Sequence, residues 1–254
     1  MPEYVTESFM GSGDLQMAIL DANDVPQGEL DVGNASAFVI AAPSIEKKEQ
    51  KGSRRANFGQ TITSIVSDTE QEVKITLTDI TRDNLVKAMF GADSDYSQAA
   101  GNNTGTPEEI VAREGKWAKL DNRNLDPATP PVVTNSGGAT TYDVDVDYEV
   151  DYQVGRIYVI PGGAITDADT LEVTYTWLVQ SGFSIKALEN LTFNVFLRLI
   201  GRNEADQSDH EVIVNKAQLE PAGDLGWISE DLSSIELTGK ILSTPAGTWE
   251  LIKY

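Results

Sequence analysis

Apolar residues recur at every second position through much of this chain, in short runs separated by clusters of Gly, Pro, Asn and Asp. That period belongs to antiparallel β-strands. Leu15 to Leu20 reads as one strand, left through a turn that holds Pro26 and Gly28. Gly33 to Ala42 reads as a second, more continuously apolar strand, and Thr61 to Ser67 and Glu72 to Asp79 alternate again. One stretch departs from period two. Leu85, Val86, Met89 and Phe90 fall at three- and four-residue spacing behind Thr81, with Asp83 in the first turn and Gly91 at the end. This predicts one short helix laid on a sheet, with a packing role. From Phe183 the β pattern resumes in SIKALENLTFNVFLRLIG, HEVIVNKAQL, SSIELTGKIL and the terminal TWELIKY, with turns at RNEADQSD and EPAGDLG. No repeat is long enough for a solenoid or propeller.

The middle of the chain has its own character. Asp93 to Gly105 is small and polar and reads as a linker into an insertion. Thr106, Pro107 and Glu109 carry the local signature of a helix start. Thr141 to Gln153 then alternates strictly, with Asp143, Asp145, Asp147, Glu149 and Asp151 on one face and Val144, Val146, Tyr148, Val150 and Tyr152 on the other. The turns VGR and PGGA and the run TLEVTYTWLV complete a hairpin set. The organisation expected is therefore a discontinuous core, residues 1–91 and 183–254, interrupted by a β-rich insertion over residues 92–182. From Asp93 to Gln180 there are 15 acids against 5 bases, so the insertion is the more acidic part per residue.

Composition narrows the chemistry. The 254 residues suffice for a hydrophobic core without staples. Nineteen basic residues against 40 acidic ones give a formal charge of −21, which opposes phosphate binding over most of the surface. There is no cysteine, so disulfides, thiolate metal sites and cysteine nucleophiles drop out. No apolar run approaches the roughly 18 to 20 residues of a membrane span. The first residues, MPEYVTESFMGSG, do not have the pattern of a secretory signal.

The candidate sites are weak. Period two spaces the Asp143–Asp151 carboxylates roughly 6.5 to 7 Å apart. That distance could suit an inverting glycosidase pair or oxygen ligation of a cation. A flat exposed strand, however, has no cleft and nothing to raise one pKa selectively. His210, the one histidine, lies between Asp209 and Glu211 at the start of an alternating strand and reads as a satisfied surface residue, because no nucleophile elbow accompanies it. Gly11-Ser12-Gly13 precedes a strand and does not open a helix, so it is no phosphate loop. Trp117, Trp177, Trp227 and Trp249 sit beside apolar β residues and read as core. The expectation is a protein that is not an enzyme, with no catalytic, cofactor-binding or metal-ligating residues.

One stretch runs against the charge of the whole. Ser44 to Gly59 holds Lys47, Lys48, Lys51, Arg54 and Arg55 against Glu46 and Glu49, net +3. It reads either as a solvated loop or as a mobile arm that docks on an acidic partner surface.

Taken with their order, several segments resemble the tail tube protein of long-tailed bacteriophages, most like the non-contractile type. The resemblance is carried by GDLQMAILD, by VGNASAFVIAAPSIEKKEQ with its charged loop, and by VKITLTDITRDNLVKAMFG, where a strand feeds the helix. It resumes from LTFNVFLRLIGRNEADQSDHEVIVNKAQL to SSIELTGKIL, while GKWAKLDNRNL and TTYDVDVDYEVDYQVGRIYVIPGGAITDADTLEVTYTW are similar to a β-rich insertion that some of these proteins carry. It implies a mostly β fold, a β-sandwich or partly rolled barrel with one flanking helix, and extended chain over Thr106 to Arg113.

For function the resemblance implies six copies closed into a ring, rings stacked into a hollow tube, and a virion protein assembled in the host cytoplasm. The partners implied are a tape measure protein in the lumen, tail tip and tail terminator proteins, and double-stranded DNA that passes without sequence-specific binding; no membrane is involved. Lys47, Lys48, Lys51, Arg54 and Arg55 would be assembly contacts, the two termini further contact arms ordered on assembly, and the insertion would lie outside the tube. An acidic wall suits such a conduit, since it offers few cations to passing phosphates. The rival readings are the tube of a contractile tail or type VI-like injection device, and a surface adhesin module.

Overall fold

In Glu72–Leu77 and Ile235–Ile241 every second side chain is buried, Val73, Ile75 and Leu77 in the first strand and Ile235, Leu237 and Ile241 in the second. Burying each such aliphatic side chain stabilises by about 1.5–3 kcal/mol. Alternation of this kind builds an eight-stranded sheet in the computed structural model of the chain, which describes residues 8–254. Residues 1–7 of the N-terminal stretch read above as a contact arm lie outside the described residues. The strand order is Leu30–Asp31, Gly11–Ile19, Phe193–Asn203, Ser208–Pro221, Ile235–Ile241, Glu72–Leu77 and Ala35–Ile40, and Trp249–Lys253 also pairs with Ser208–Pro221. The fold is mostly β and of sandwich type, with one short helix. Among the described residues no sheet closes into a barrel.

Ser208–Pro221 organises this sheet. One side pairs with Phe193–Asn203 from Asn203↔Ser208 to Phe193↔Leu219. The other side takes Trp249–Lys253 along its first half and Ile235–Ile241 along its second. Those two strands run in the same direction, and the chain between them, residues 242–248, makes an excursion anchored by Asn215 N–H on Thr248 O and Leu242 N–H on Lys216 O. TWELIKY, expected to order only on assembly, is thus already a strand of the sheet, because the front of Ser208–Pro221 offers it an unpaired ladder.

The helix, Arg82–Ala88, begins where the sequence places it: Thr81 Oγ1 accepts from Asn84 N–H at 3.2 Å. Its end differs. Phe90, not Gly91, takes the left-handed conformation (φ 47°), with Phe90 N–H on Lys87 O and Gly91 N–H on Val86 O. Two contacts account for the exchange. The Phe90 ring stacks on Phe193 with centroids 6.0 Å apart. A Cβ at Gly91 would stand 2.5 Å from Ile185 Cγ2, so glycine is needed there for close approach. Leu85, Val86 and Phe90 pack on the core that the sheet's inward side chains form.

By backbone proximity the chain divides into two units. One holds the chain up to Asp93 and from Ile185 onward, and the other is Ser94–Ser184. Ala92 and Gly182, the bounds expected for the insertion, lie in strands Ala92–Gln98 and Gln180–Lys186, which pair with each other. Asp93–Gly105 is therefore not a linker. The Ser94–Ser184 unit contains two three-stranded sheets. Arg156–Val159 lies between Trp117–Lys119 and Tyr148–Asp151 in one, and Thr170–Thr174 lies between Val132–Asn135 and Glu108–Val111 in the other. Ile157, Val159, Val133, Leu171 and Val173 meet in its own core with Leu120, Leu125 and Ile165. The helix-start signature at Thr106 yields to strand Glu108–Val111, since Ile110 is buried opposite Leu171.

Asn84 fixes the helix to the sheet edge. It is buried, and its Nδ2 donates to Val32 O and to Asp79 O, both at 2.9 Å. Asn84→Leu removes both donors and leaves two carbonyls unpaired. We expect a loss of about 1–3 kcal/mol, read by chemical denaturation, and an unchanged midpoint would show that water replaces the amide.

Candidate assembly surfaces

Beyond the sheet, strands Ala35–Ile40 and Glu72–Leu77 are prolonged by a second ladder, Ser44–Lys51 on Thr61–Glu70. The run Thr61-Ile62-Thr63-Ser64-Ile65-Val66 has the β-branched content of a strand and supplies a partner for its charged neighbour. The stretch read as a loop is therefore half of a β-hairpin arm, and only its tip, residues 52–60, is a turn. Every residue of both arm strands is exposed. Ile45, Ile62, Ile65 and Val66 lie on it in water, with Phe58 80% exposed at the tip. No other part of the described chain packs a core against these side chains.

The five candidate cations divide along the arm. Lys47 and Lys48 are strand residues opposite Val66 and Ile65, on opposite faces of the ladder. Lys51 is tied down: its Nζ donates to Glu49 at 2.7 Å and to Thr61 Oγ1 at 2.8 Å, Thr61 Oγ1 in turn donates to Glu49 at 3.2 Å, and the bonds from Lys51 and Thr61 hold the Glu49 carboxyl below its ordinary pKa. Arg54 and Arg55 occupy the tip turn, and neither has an ion-pair partner among the described residues.

Other surfaces are equally unpartnered. Among the described residues Ala35–Ile40 has a ladder on one side only, and so has Trp249–Lys253, whose residues are all exposed. The loop from Ala222 to Ser234 carries Trp227, Ile228 and Leu232 at 74%, 99% and 100% exposure, although Leu225 beside them packs on the core. Trp117 and Trp249 are also partly exposed, and Trp177 is half-buried, so the expectation that the tryptophans are core fails for most of them. Adjacency to apolar residues signals burial only where the face is covered.

Two other readings are corrected. Thr141–Gln153 is not one alternating strand. Residues 145–147 turn, with Asp145 at φ 65°, and only Tyr148–Asp151 is strand. Asp147 is buried inside the turn, its Oδ2 accepting from Asp143 N–H and its Oδ1 from Ala164 N–H, and these bonds hold its pKa below the carboxylate range. The supposed row of carboxylates is thereby broken. His210, expected at the surface, is 4% exposed and its Nδ1 has no partner. It pairs with Gly201, where a Cβ would stand 2.6 Å from Nε2, and the Phe9 ring covers it at 5.3 Å. The glycine leaves room for the imidazole, a signal visible only once the register is known.

Among the described residues no group of three or more His, Asp and Glu converges as a metal would require, and no helix is long and apolar enough to cross a membrane. A family model described as Protein of unknown function UCP028589 matches residues 8–249. No curated protein matches the chain.

Asp147 makes a pH-dependent contribution. Its folded pKa is lowered, so the stability it adds is present above the unfolded carboxyl value of about 3.9 and is lost as pH falls through the folded value. Asparagine can accept with one oxygen only and turns its amide toward the second N–H. Asp147→Asn is therefore expected to cost about 1–3 kcal/mol at pH 7, the cost shrinking below about pH 4 as the unfolded wild-type carboxyl takes up its proton and vanishing as pH falls through the lowered folded value. Urea unfolding at the two pH values checks this; an equal loss at both would assign the effect to packing.

Proposed function

The chain belongs to that family, and we propose that it is a structural subunit that self-assembles into stacked rings forming a phage tail tube. The observation that carries this reading is the arm: two exposed strands with four large aliphatic side chains and Phe58 in water, prolonging a sheet edge. A lone molecule gains nothing from that ladder, whereas a second copy would bury it. The open edges support the same reading. An unpaired edge such as Ala35–Ile40 invites strand addition, and six copies joined edge to edge would close a ring and leave no edge exposed. The charge of −21 keeps free subunits apart until an interface forms, and gives the proposed conduit an acidic wall for double-stranded DNA.

In this reading the arm and its cations make contacts between subunits, and the Ser94–Ser184 unit lies on the outside of the tube. A tape measure protein fills the lumen during assembly, with tip and terminator proteins at the ends. The protein is then a virion component with no enzymatic activity of its own.

Negative-stain microscopy of the concentrated protein, alone and beside a tail-tip complex, should show hollow tubes or stacked rings. A chain that stays monomeric under both conditions would overturn the proposal. Replacing Ser94–Ser184 by a short Gly/Ser linker should leave tubes of the same lumen and smaller outer diameter. A widened lumen with an unchanged outer diameter would place the insertion inside and overturn this placement.

A further inference from the structure

The arm and the Ala222–Ser234 loop stand at opposite ends of the same strands. Glu72 pairs with Lys240 and Leu77 with Ile235, so the strand Glu72–Leu77 has the arm at its first residue and the end of the loop beside its last. About 3.3 Å per residue puts roughly 17–20 Å of sheet between them, and the arm reaches about 25–30 Å further. The two ends are chemically opposite. Residues 52–60 at the tip hold Arg54 and Arg55 and no acid, whereas residues 222–234 hold Asp224, Glu230 and Asp231 and no base. Each also presents bare apolar surface: Phe58 on the tip, and Trp227, Ile228 and Leu232 on the loop. None of Arg54, Arg55, Asp224, Glu230 or Asp231 has an ion-pair partner among the described residues.

We propose that the arm tip of one copy docks on the Ala222–Ser234 loop of a second copy, a contact that rests on the self-assembly reading and supplies its axial step. Phe58 is buried against the loop's aliphatic side chains, Arg54 and Arg55 meet Glu230 and Asp231, and a guanidinium can lie over the Trp227 ring. Tip and loop occupy opposite ends of each copy, so the contact is head-to-tail. Every bound copy still presents a free arm at one end and a free loop at the other, and growth stays open.

The test uses two full-length double variants, Arg54→Glu with Arg55→Glu and Glu230→Lys with Asp231→Lys, followed by sedimentation velocity and microscopy. All four positions are exposed, so both variants should unfold as wild type does. Each alone should assemble about tenfold or more less than wild type, because like charges now face each other, and an equimolar mixture should recover to within about twofold. In the mixture every tip finds a loop of opposite sign. Trp227→Ala, which changes no charge, should weaken assembly at high salt as well, where the charge variants recover by screening. If wild type assembles but the mixture does no better than its components, or if either double variant assembles normally, the docking is overturned and the self-assembly reading stands. If wild type itself never associates, both are overturned.

Discussion

The ladder between Phe193–Asn203 and Ser208–Pro221 is the constraint on which the core unit depends. It is long and antiparallel, and each of its flanks offers backbone groups that need partners. Gly11–Ile19 satisfies one flank from Asn203 to Val195, and two strands share the other. Because side chains alternate, fixing this register puts Leu15, Val195, Val214 and Ile235 in the core, while Phe196 turns to the other face and is buried there with Ala18 and Leu20. The helix follows from the same choice. Leu85, Val86 and Phe90 have a surface to cover only because the sheet keeps that side apolar.

What could be seen in advance was what alternation and capping encode. The strands around Leu15, Ile75, Leu197 and Leu237 repeat apolar residues at period two over a covered face, and Thr81 caps the helix as its chemistry requires. Where the face is not covered, the code weakens. Ser44–Lys51 has one apolar residue, Ile45, and becomes a strand through the partner it meets in Thr61–Glu70, a pairing no local pattern announces. Asp145 and Asp147 keep the rhythm of a strand while their backbone turns, because aspartate tolerates a positive φ and bonds nearby N–H groups.

The candidate surfaces were legible in part. Charge alone distinguished Lys47 to Arg55 from an acidic chain, but their division between a ladder and a tip needed the register. EPAGDLG was legible as a turn, but the exposure of Trp227 just after it was missed, because its apolar neighbours look like those of a strand and its exposure is a property of the fold around Leu225. His210 was missed for the converse reason: flanking acids suggested water, while Gly201 across the ladder makes a trough for the ring.

The pairing of Ala92–Gln98 with Gln180–Lys186 has a consequence for what this scaffold can carry. Neighbouring strands run about 4.8 Å apart, so the chain departs from the core and comes back through adjacent points. The entropy of closing such an excursion grows only with the logarithm of its length, and the paired strands have already met most of it. The core is therefore a socket. Any domain whose own ends lie side by side can be plugged into it without re-laying the sheet, and the size of that domain is left to whatever surrounds it.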